Sequence, residues 1–280
     1  MKFVEINGSN RAILFNALKN KKKKSWKEIS SDLKRSKAMM FHYINGSFPI
    51  PLALYEEISK ISGIKVSFDV IEKKKFMRKE VNVPRLDTGL AEILGALAGD
   101  GHISGISHEV SVTCSSELDR DYINHLKLLF ERKLGLKFKI SIQGGAIRLK
   151  TYSKELASIL HREYGAPIGK KKGNLKIPKP LENDLGLMKV YIRGLFDTDG
   201  SVYLRRKKDI VVEIINVDKN YLESLKVVLN RLGFICGISG KNLYLYRKDM
   251  VKKFFEEIKP ANPKHLKKYS MYSQMNASVV

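Results

Sequence analysis

Read for its apolar and polar positions, the chain contains two runs that stay apolar and then stop at an Asp-Gly pair. They are residues 93–103 (ILGALAGDGHI) and residues 190–203 (VYIRGLFDTDGSVY). With Gly95 set on Gly194, Leu97 falls on Phe196, Asp100 on Asp199 and Gly101 on Gly200, a constant offset of 99 residues. An apolar run with a small residue midway predicts a helix packed closely on a partner, and a glycine past its end predicts the stop. Beyond the second stop, Val202 and Leu204 alternate with Tyr203 and Arg205, which is strand period. Each aspartate is therefore expected where a buried helix hands over to a sheet.

The pattern continues outward from both runs. In the first half it predicts strands near 101–104 and 110–115, a helix over about 118–134, strands over 137–143 and 146–150, and a helix over about 154–164. Phe138, Ile140 and Ile142 alternate with Lys137, Lys139, Ser141 and Gln143, so one face is greasy and the other basic. The second half repeats the order with strands near 201–205, 211–216, 234–239 and 242–246 and helices over about 220–232 and 249–258. Tyr221, Leu225 and Val228 echo Tyr122, Leu126 and Leu129. The expected fold is α+β, a duplicated αββαββα unit whose antiparallel sheets carry helices on one face and a polar surface on the other.

Residues 1–70 follow a different logic. Ser25 and Glu28 form a capping box before Ile29 and Leu33, Ser36 caps a second short helix that Gly46 ends, and Leu52, Tyr55, Ile58 and Ile61 share one face of a third. Short helix, tight turn, short helix resembles the helix-turn-helix of phage-repressor-like proteins, which implies a small all-α domain offering Lys37, His42 and Tyr43 to a major groove. An ordinary small helical bundle is the alternative. Residues 71–87 read as a basic linker, 88–270 as the duplicated domain with halves near 88–165 and 187–260, and 271–280 as a C-terminal tail.

A carboxylate at a helix C-terminus is repelled by the dipole. Two at matched positions suggest a cation: packed about a pseudo-twofold axis, the helices would bring Asp100 and Asp199 together to hold Mg²⁺, which takes oxygen ligands. The bland reading is two core helices whose aspartates only cap turns.

The two segments resemble the paired motifs of the LAGLIDADG homing endonucleases in their single-chain form, IRGLFDTDG closely and ILGALAGDG more loosely, with Ala98 where Asp197 keeps the pattern. PIGKKKGNLKIPK (residues 167–179) and NPKHLKKY (residues 262–269) are further similar stretches. The resemblance implies a saddle of two sheets laid along the major groove of a long double-stranded DNA site. It implies hydrolysis with two or more Mg²⁺ (or Mn²⁺) ions held by Asp100 and Asp199, with Gly99 and Thr198 flanking them at the helix ends. A basic residue on the last strand of each half assists in that family, a place Lys150 fills. Its counterpart by strand phase is Tyr246, with Arg247 adjacent, and an ordinary phosphate contact is the other reading of Lys150. On the implied DNA-facing side stand His102, Ser104, Ser111, Thr113, Lys137, Lys139, Ser141, Gln143, Arg148 and Lys150, then Tyr203, Arg205, Glu213, Asn242, Tyr244 and Tyr246.

Composition narrows the field. Lys plus Arg number 52 against 29 Asp plus Glu, a formal net charge of +23, so a polyanion is the expected partner and nucleic acid the first choice. No apolar run reaches the ~20 residues of a spanning helix, and the opening residues do not form a signal peptide, so a cytoplasmic protein, or one held with the host DNA, is expected. Cys114 and Cys236 fall in strand-like runs and read as buried thiols, which leaves zinc without ligands. With Met1 at the start, no nucleophilic Cys or Ser there and no His-Asn at the end, a free-standing pseudo-dimer needing no protein partner is expected. A non-cleaving DNA regulator or splicing helper on the same saddle is the main rival. A basic coating protein fits poorly with a repeated carboxylate.

Overall fold

The computed structural model describes residues 2–72, 81, 85–206 and 208–277. Two compact units emerge, Met1–Met77 and Arg78–Val280. Among the described residues, no helix is long and apolar enough to cross a membrane.

The first unit runs β1 (Lys2–Glu5), α1 (Gly8–Lys22), α2 (Trp26–Asp32), α3 (Lys37–Ile44), β2 (Ile50–Pro51), α4 (Leu52–Ser62) and β3 (Asp69–Glu72). Each of the first three helices starts on a side-chain cap: Asn7 accepts from Asn10 N, Ser25 and Glu28 close the full capping box, and Ser36 accepts from Met39 N. Leu14, Leu18, Ile29, Met40, Leu54 and Ile58 meet in its core. Contrary to what the helical periodicity predicts, the unit is not all-helical. An antiparallel sheet in the order β2-β1-β3 joins its two ends, with Val4 paired to Ile50 and to Val70. Tyr43 also departs from expectation: one turn from Met40 on the same face of α3, it is buried against the core, whereas Lys37 and His42 are exposed.

The expected linker is shorter than its charge run, because Ile71 and Glu72 belong to β3 and Asp87 caps the next helix. Residues 73–80 and 82–84 of that run lie outside the described residues.

The second unit is written twice. The first copy runs α5 (Thr88–Ala98), β4 (Gly101–Ile103), β5 (Glu109–Ser115), α6 (Arg120–Leu134), β6 (Lys139–Gln143), β7 (Ala146–Tyr152) and α7 (Lys154–Tyr164). A connection through a short 3₁₀ turn leads to the second: α8 (Leu185–Asp199), β8 (Gly200–Arg205), β9 (Asp209–Ile215), α9 (Lys219–Arg231), β10 (Gly237–Ser239), β11 (Asn242–Leu245) and α10 (Lys248–Glu257). Phe234, expected to open a strand, instead ends buried in the core ahead of β10. In place of a C-terminal tail, α11 (Pro263–Ala277) occupies residues 271–277, and residues 278–280 lie outside the described residues. The strands form two antiparallel sheets, β4-β5-β7-β6 and β8-β9-β11-β10, so the duplicated α+β order is the one the chain adopts.

α5 and α8 pack on each other along their length, and glycine sets their separation. A methyl group added at Gly95 would lie 2.0 Å from the Tyr191 carbonyl oxygen, and one at Gly194 would lie 2.2 Å from the Glu92 carbonyl oxygen. Each backbone thus occupies the space a side chain would need on the other. Both helices start on an aspartate cap, Asp87 accepting from Leu90 N and Asp184 from Leu187 N. The seam also buries Glu92, paired with Arg193 of the facing helix and with His125 Nε2 at 2.8 Å.

Candidate metal and nucleic-acid site

The ends of α5 and α8 carry Asp100 and Asp199 to one place. Their carboxyl groups come close enough to act on each other, and a methyl group at Gly99 would stand 3.3 Å from the Asp199 carboxyl carbon. Burial, together with the neighbouring Asp100, pushes the Asp199 carboxyl up to about 7, against the pull of Lys171 and Lys264. Asp100 is also raised, chiefly by burial, with the Cys114 thiol acting to lower it. Two half-buried, mutually repelling carboxylates are a costly arrangement unless something cationic joins them.

Of the lysines that answer them, Lys171 lies on a loop and Lys264 in the first turn of α11, both in stretches that the apolar pattern left unassigned. Lys171 follows the first copy, and its ammonium donates to the carbonyls of Leu97 (3.3 Å), Ala98 (3.0 Å) and Gly99 at the C-terminus of α5. There it meets the negative end of the dipole as well as both aspartates. Burial pushes Lys171 below the ordinary lysine range. Two residues on, Gly173 N donates to Asp218 Oδ2 of the second copy at 2.8 Å.

The loop after the second copy mirrors this arrangement. Asp197, fully buried in α8, accepts from Ala261 N (2.9 Å) and Asn262 N (3.0 Å), while Asn262 Nδ2 donates to Asp119 of the first copy at 2.7 Å. Lys264 then pairs with Asp119 at 2.9 Å. Asp119 and Asp218 are themselves 99 residues apart, so each loop ties the end of its own copy's motif helix to the matched aspartate of the other copy. The stretches holding these loops resembled the family in sequence, but which lysine of the run 170–172 faces the carboxylates depends on the tertiary fold.

Three expectations change in this setting. The Gly99 carbonyl, expected beside a metal, is engaged by the Lys171 ammonium, and the Thr198 hydroxyl donates to the Gly194 and Leu195 carbonyls within its own helix. Lys150 stands beside Glu109, whose carboxyl it helps Arg148 to hold below its ordinary range. Its partner in the second sheet is Tyr244 rather than Tyr246, because Lys150 pairs with Ser111 where Tyr244 pairs with Glu213. Strand phase alone places the counterpart one alternation too far: Leu149 pairs with Val112 where Leu243, not Leu245, pairs with Ile214.

Whether these residues suit a metal follows from their chemistry. Among the described residues, no group of three or more His, Cys, Asp or Glu side chains gathers to hold a metal alone. The donors on offer are two carboxylates, all oxygen and close together. That set fits a hard divalent cation which completes its shell with water and phosphate oxygens. Beside them a recess of about 240 Å³, bordered by Gly99, Lys171, Asp199, Asn216 and Lys241, reaches Asp199 but not Asp100.

The remaining expected contact residues divide by sheet. His102, Lys137, Lys139 and Gln143 are exposed in the first copy, while Ser104, Thr113, Ser141, Arg148 and Lys150 are half-buried. Ser111 is buried beneath Arg148, which donates to it at 3.3 Å and pairs with Glu109 at 2.9 Å. In the second copy Tyr203, Arg205 and Tyr246 are exposed, with the Arg205 guanidinium 5.0 Å over the Tyr246 ring. Asn242 and Tyr244 are half-buried, and Glu213 is buried among the Ser201 and Tyr203 hydroxyls. Arg247 turns away to Asp249 at the start of α10.

Residues 187–259, within the second copy, match the family described as LAGLIDADG-like domain. The uncharacterized protein MJ1054 of Methanocaldococcus jannaschii is 26% identical over 171 residues, which cover 57% of this chain and 19% of that protein. The probable translation initiation factor IF-2 of the same organism is 29% identical over 140 residues, 49% of this chain and 11% of that protein. The chain thus spans a fifth or less of the length of these curated relatives. Similar solved structures include the homing endonuclease I-WcaI bound to its DNA recognition sequence, at 19% identity and TM-score 0.48, covering 65% of this chain and 85% of that one. Another is the N-terminal LAGLIDADG domain of DUF199/WhiA, at 18% identity and TM-score 0.44, covering 63% of this chain and 86% of that one.

Proposed function

We propose that this protein is a site-specific DNA endonuclease of homing type, cutting both strands by divalent-metal-assisted hydrolysis. The observation that carries the reading is the meeting of Asp100 and Asp199, half-buried and close enough to act on each other, at the ends of two matched helices. A divalent ion bound there would supply a Lewis acid for the scissile phosphate and ease ionisation of an attacking water. The chain's own part is to hold both carboxylates ready and to bring Lys171 and Lys264 alongside, where they offset negative charge growing on the phosphate and the leaving oxygen. Lys150 is kept as a contact to DNA on the sheet face. The first unit supplements binding through the exposed Lys37 and His42 of α3, the helix offered to a major groove.

The test is substitution of either aspartate by asparagine, which keeps shape and removes charge. With the full chain, cleavage in Mg²⁺ is expected to collapse for both variants, while DNA affinity measured in Ca²⁺ holds or rises. Parental cutting by both variants would overturn the metal reading. Sequence-specific binding with no cutting by the parent protein would establish the non-cleaving regulator instead.

A further inference from the structure

The two copies share a fold but not a surface, and strand pairing lets their sheet faces be compared row by row. One row of the first sheet reads His102, Ser111, Lys150, Lys139 across β4-β5-β7-β6. The matching row of the second, across β8-β9-β11-β10, reads Ser201, Glu213, Tyr244, Gly237. In the next row, Thr113, Arg148 and Ser141 face Ile215, Asn242 and Ser239. Every cation of the first face is replaced in the second by a neutral or acidic residue. Lys139 becomes Gly237, Lys150 becomes Tyr244 and Arg148 becomes Asn242, while the neutral Ser111 becomes Glu213.

Packing shows that the second face is built rather than merely depleted. The Tyr244 ring lies over Gly237, where an added methyl group would come within 2.9 Å of its hydroxyl end. Tyr244 also leans on Tyr246 at a ring separation of 6.0 Å, and Arg205 caps Tyr246. Glu213 receives the Ser201 and Tyr203 hydroxyls, which fixes a carboxylate in the middle of the face.

Resting on the endonuclease reading, we infer that the two sheets recognise chemically different half-sites. The first is specific for guanine through Lys139, Lys150 and Arg148; the second is specific for A·T pairs through Asn242 and the Tyr244 ring. In a major groove, Arg and Lys pair with the guanine O6 and N7, Asn with adenine, and apolar surface with the thymine methyl. A carboxylate at the centre of a DNA-facing surface repels phosphate, so the second sheet depends on base edges for its affinity.

Duplexes selected by the full chain from randomised DNA in Ca²⁺ would be rebuilt with one half altered at a time. Replacing guanine by 7-deazaguanine removes N7, and replacing thymine by uracil removes the methyl group. In the half whose preference is relaxed by Lys139→Ala, 7-deazaguanine is expected to weaken binding by about fivefold or more per contacted base, and uracil to do little. In the half relaxed by Tyr244→Ala, uracil is expected to cost about three- to fourfold per methyl group, and 7-deazaguanine little. Equal penalties in both halves, or the reverse assignment, would overturn the inference and leave the endonuclease reading standing. Selection that enriches no sequence at all would sink both.

Discussion

Replacing Asp199 by asparagine should stabilise the metal-free protein, and the size of the gain should depend on pH in a way that few substitutions do. The carboxyl is raised from an ordinary 3.8 to about 7 by burial and by Asp100. A group whose folded pKa lies above its unfolded value binds more protons in the native state, so stability falls as pH rises from near 4 to near 7. The full cost of the ionised carboxylate, about 4 kcal/mol, is therefore present above pH 7 and fades as pH drops toward 4. The asparagine side chain of the Asp199→Asn variant has no charge to bury and escapes it. For a unit of about this length each kcal/mol moves the melting temperature by roughly 2–4 °C. The variant should melt on the order of 10 °C above the parent at pH 8 without metal, and close to it at pH 4. Millimolar Ca²⁺ should close the gap by raising the parent and leaving the variant in place, since a ligand of the native state stabilises only what binds it. Scanning calorimetry of the full chain, following the transition of residues 78–280 at both pH values with EDTA and with Ca²⁺, measures all four quantities. Equal melting of parent and variant at pH 8 in EDTA would refute the reasoning, because it would mean that Asp199 is neither repelled nor waiting for a cation.

Lys171→Met should slow cleavage at least tenfold while changing DNA affinity little, whereas Lys150→Met should weaken binding and cleavage together; single-turnover rates set beside affinities in Ca²⁺ separate the two. Gly194→Ala should cost several kcal/mol, because its methyl group would meet the Glu92 backbone rather than a movable side chain, and thermal melting reads the loss directly. Deleting residues 1–84 should leave the second unit folded by circular dichroism but weaken DNA binding and flatten its salt dependence, since phosphate contacts are lost with the basic residues.

What could be read from the sequence was whatever repeats at short range. The offset of 99 between Asp100 and Asp199 and the helical runs before them name the paired carboxylates, because burial and a helix stop leave a local signature. Lys171 leaves none: it is one lysine in a run of three, and only the carbonyls at the end of α5 select it. Tyr43 is not legible because both faces of a short helix carry large residues, and which side faces α1 and α2 is settled by packing. The small sheet of the first unit joins segments more than forty residues apart, beyond the range of any periodicity. Matching Lys150 to Tyr246 fails for a related reason: a slip of two residues along β11 leaves the alternation intact, and only the pairing of Tyr244 with Glu213 fixes the register.

The glycine contact between α5 and α8 bears on how such a chain can diverge. At Gly95 and Gly194 the two backbones touch, so almost any replacement drives the carboxylates apart. The sheet faces carry no such restriction, and there lysine in one copy already stands where tyrosine or glycine stands in the other. Selection can therefore rewrite the sheet faces, one strand residue at a time, while the seam holds the two carboxylates in place.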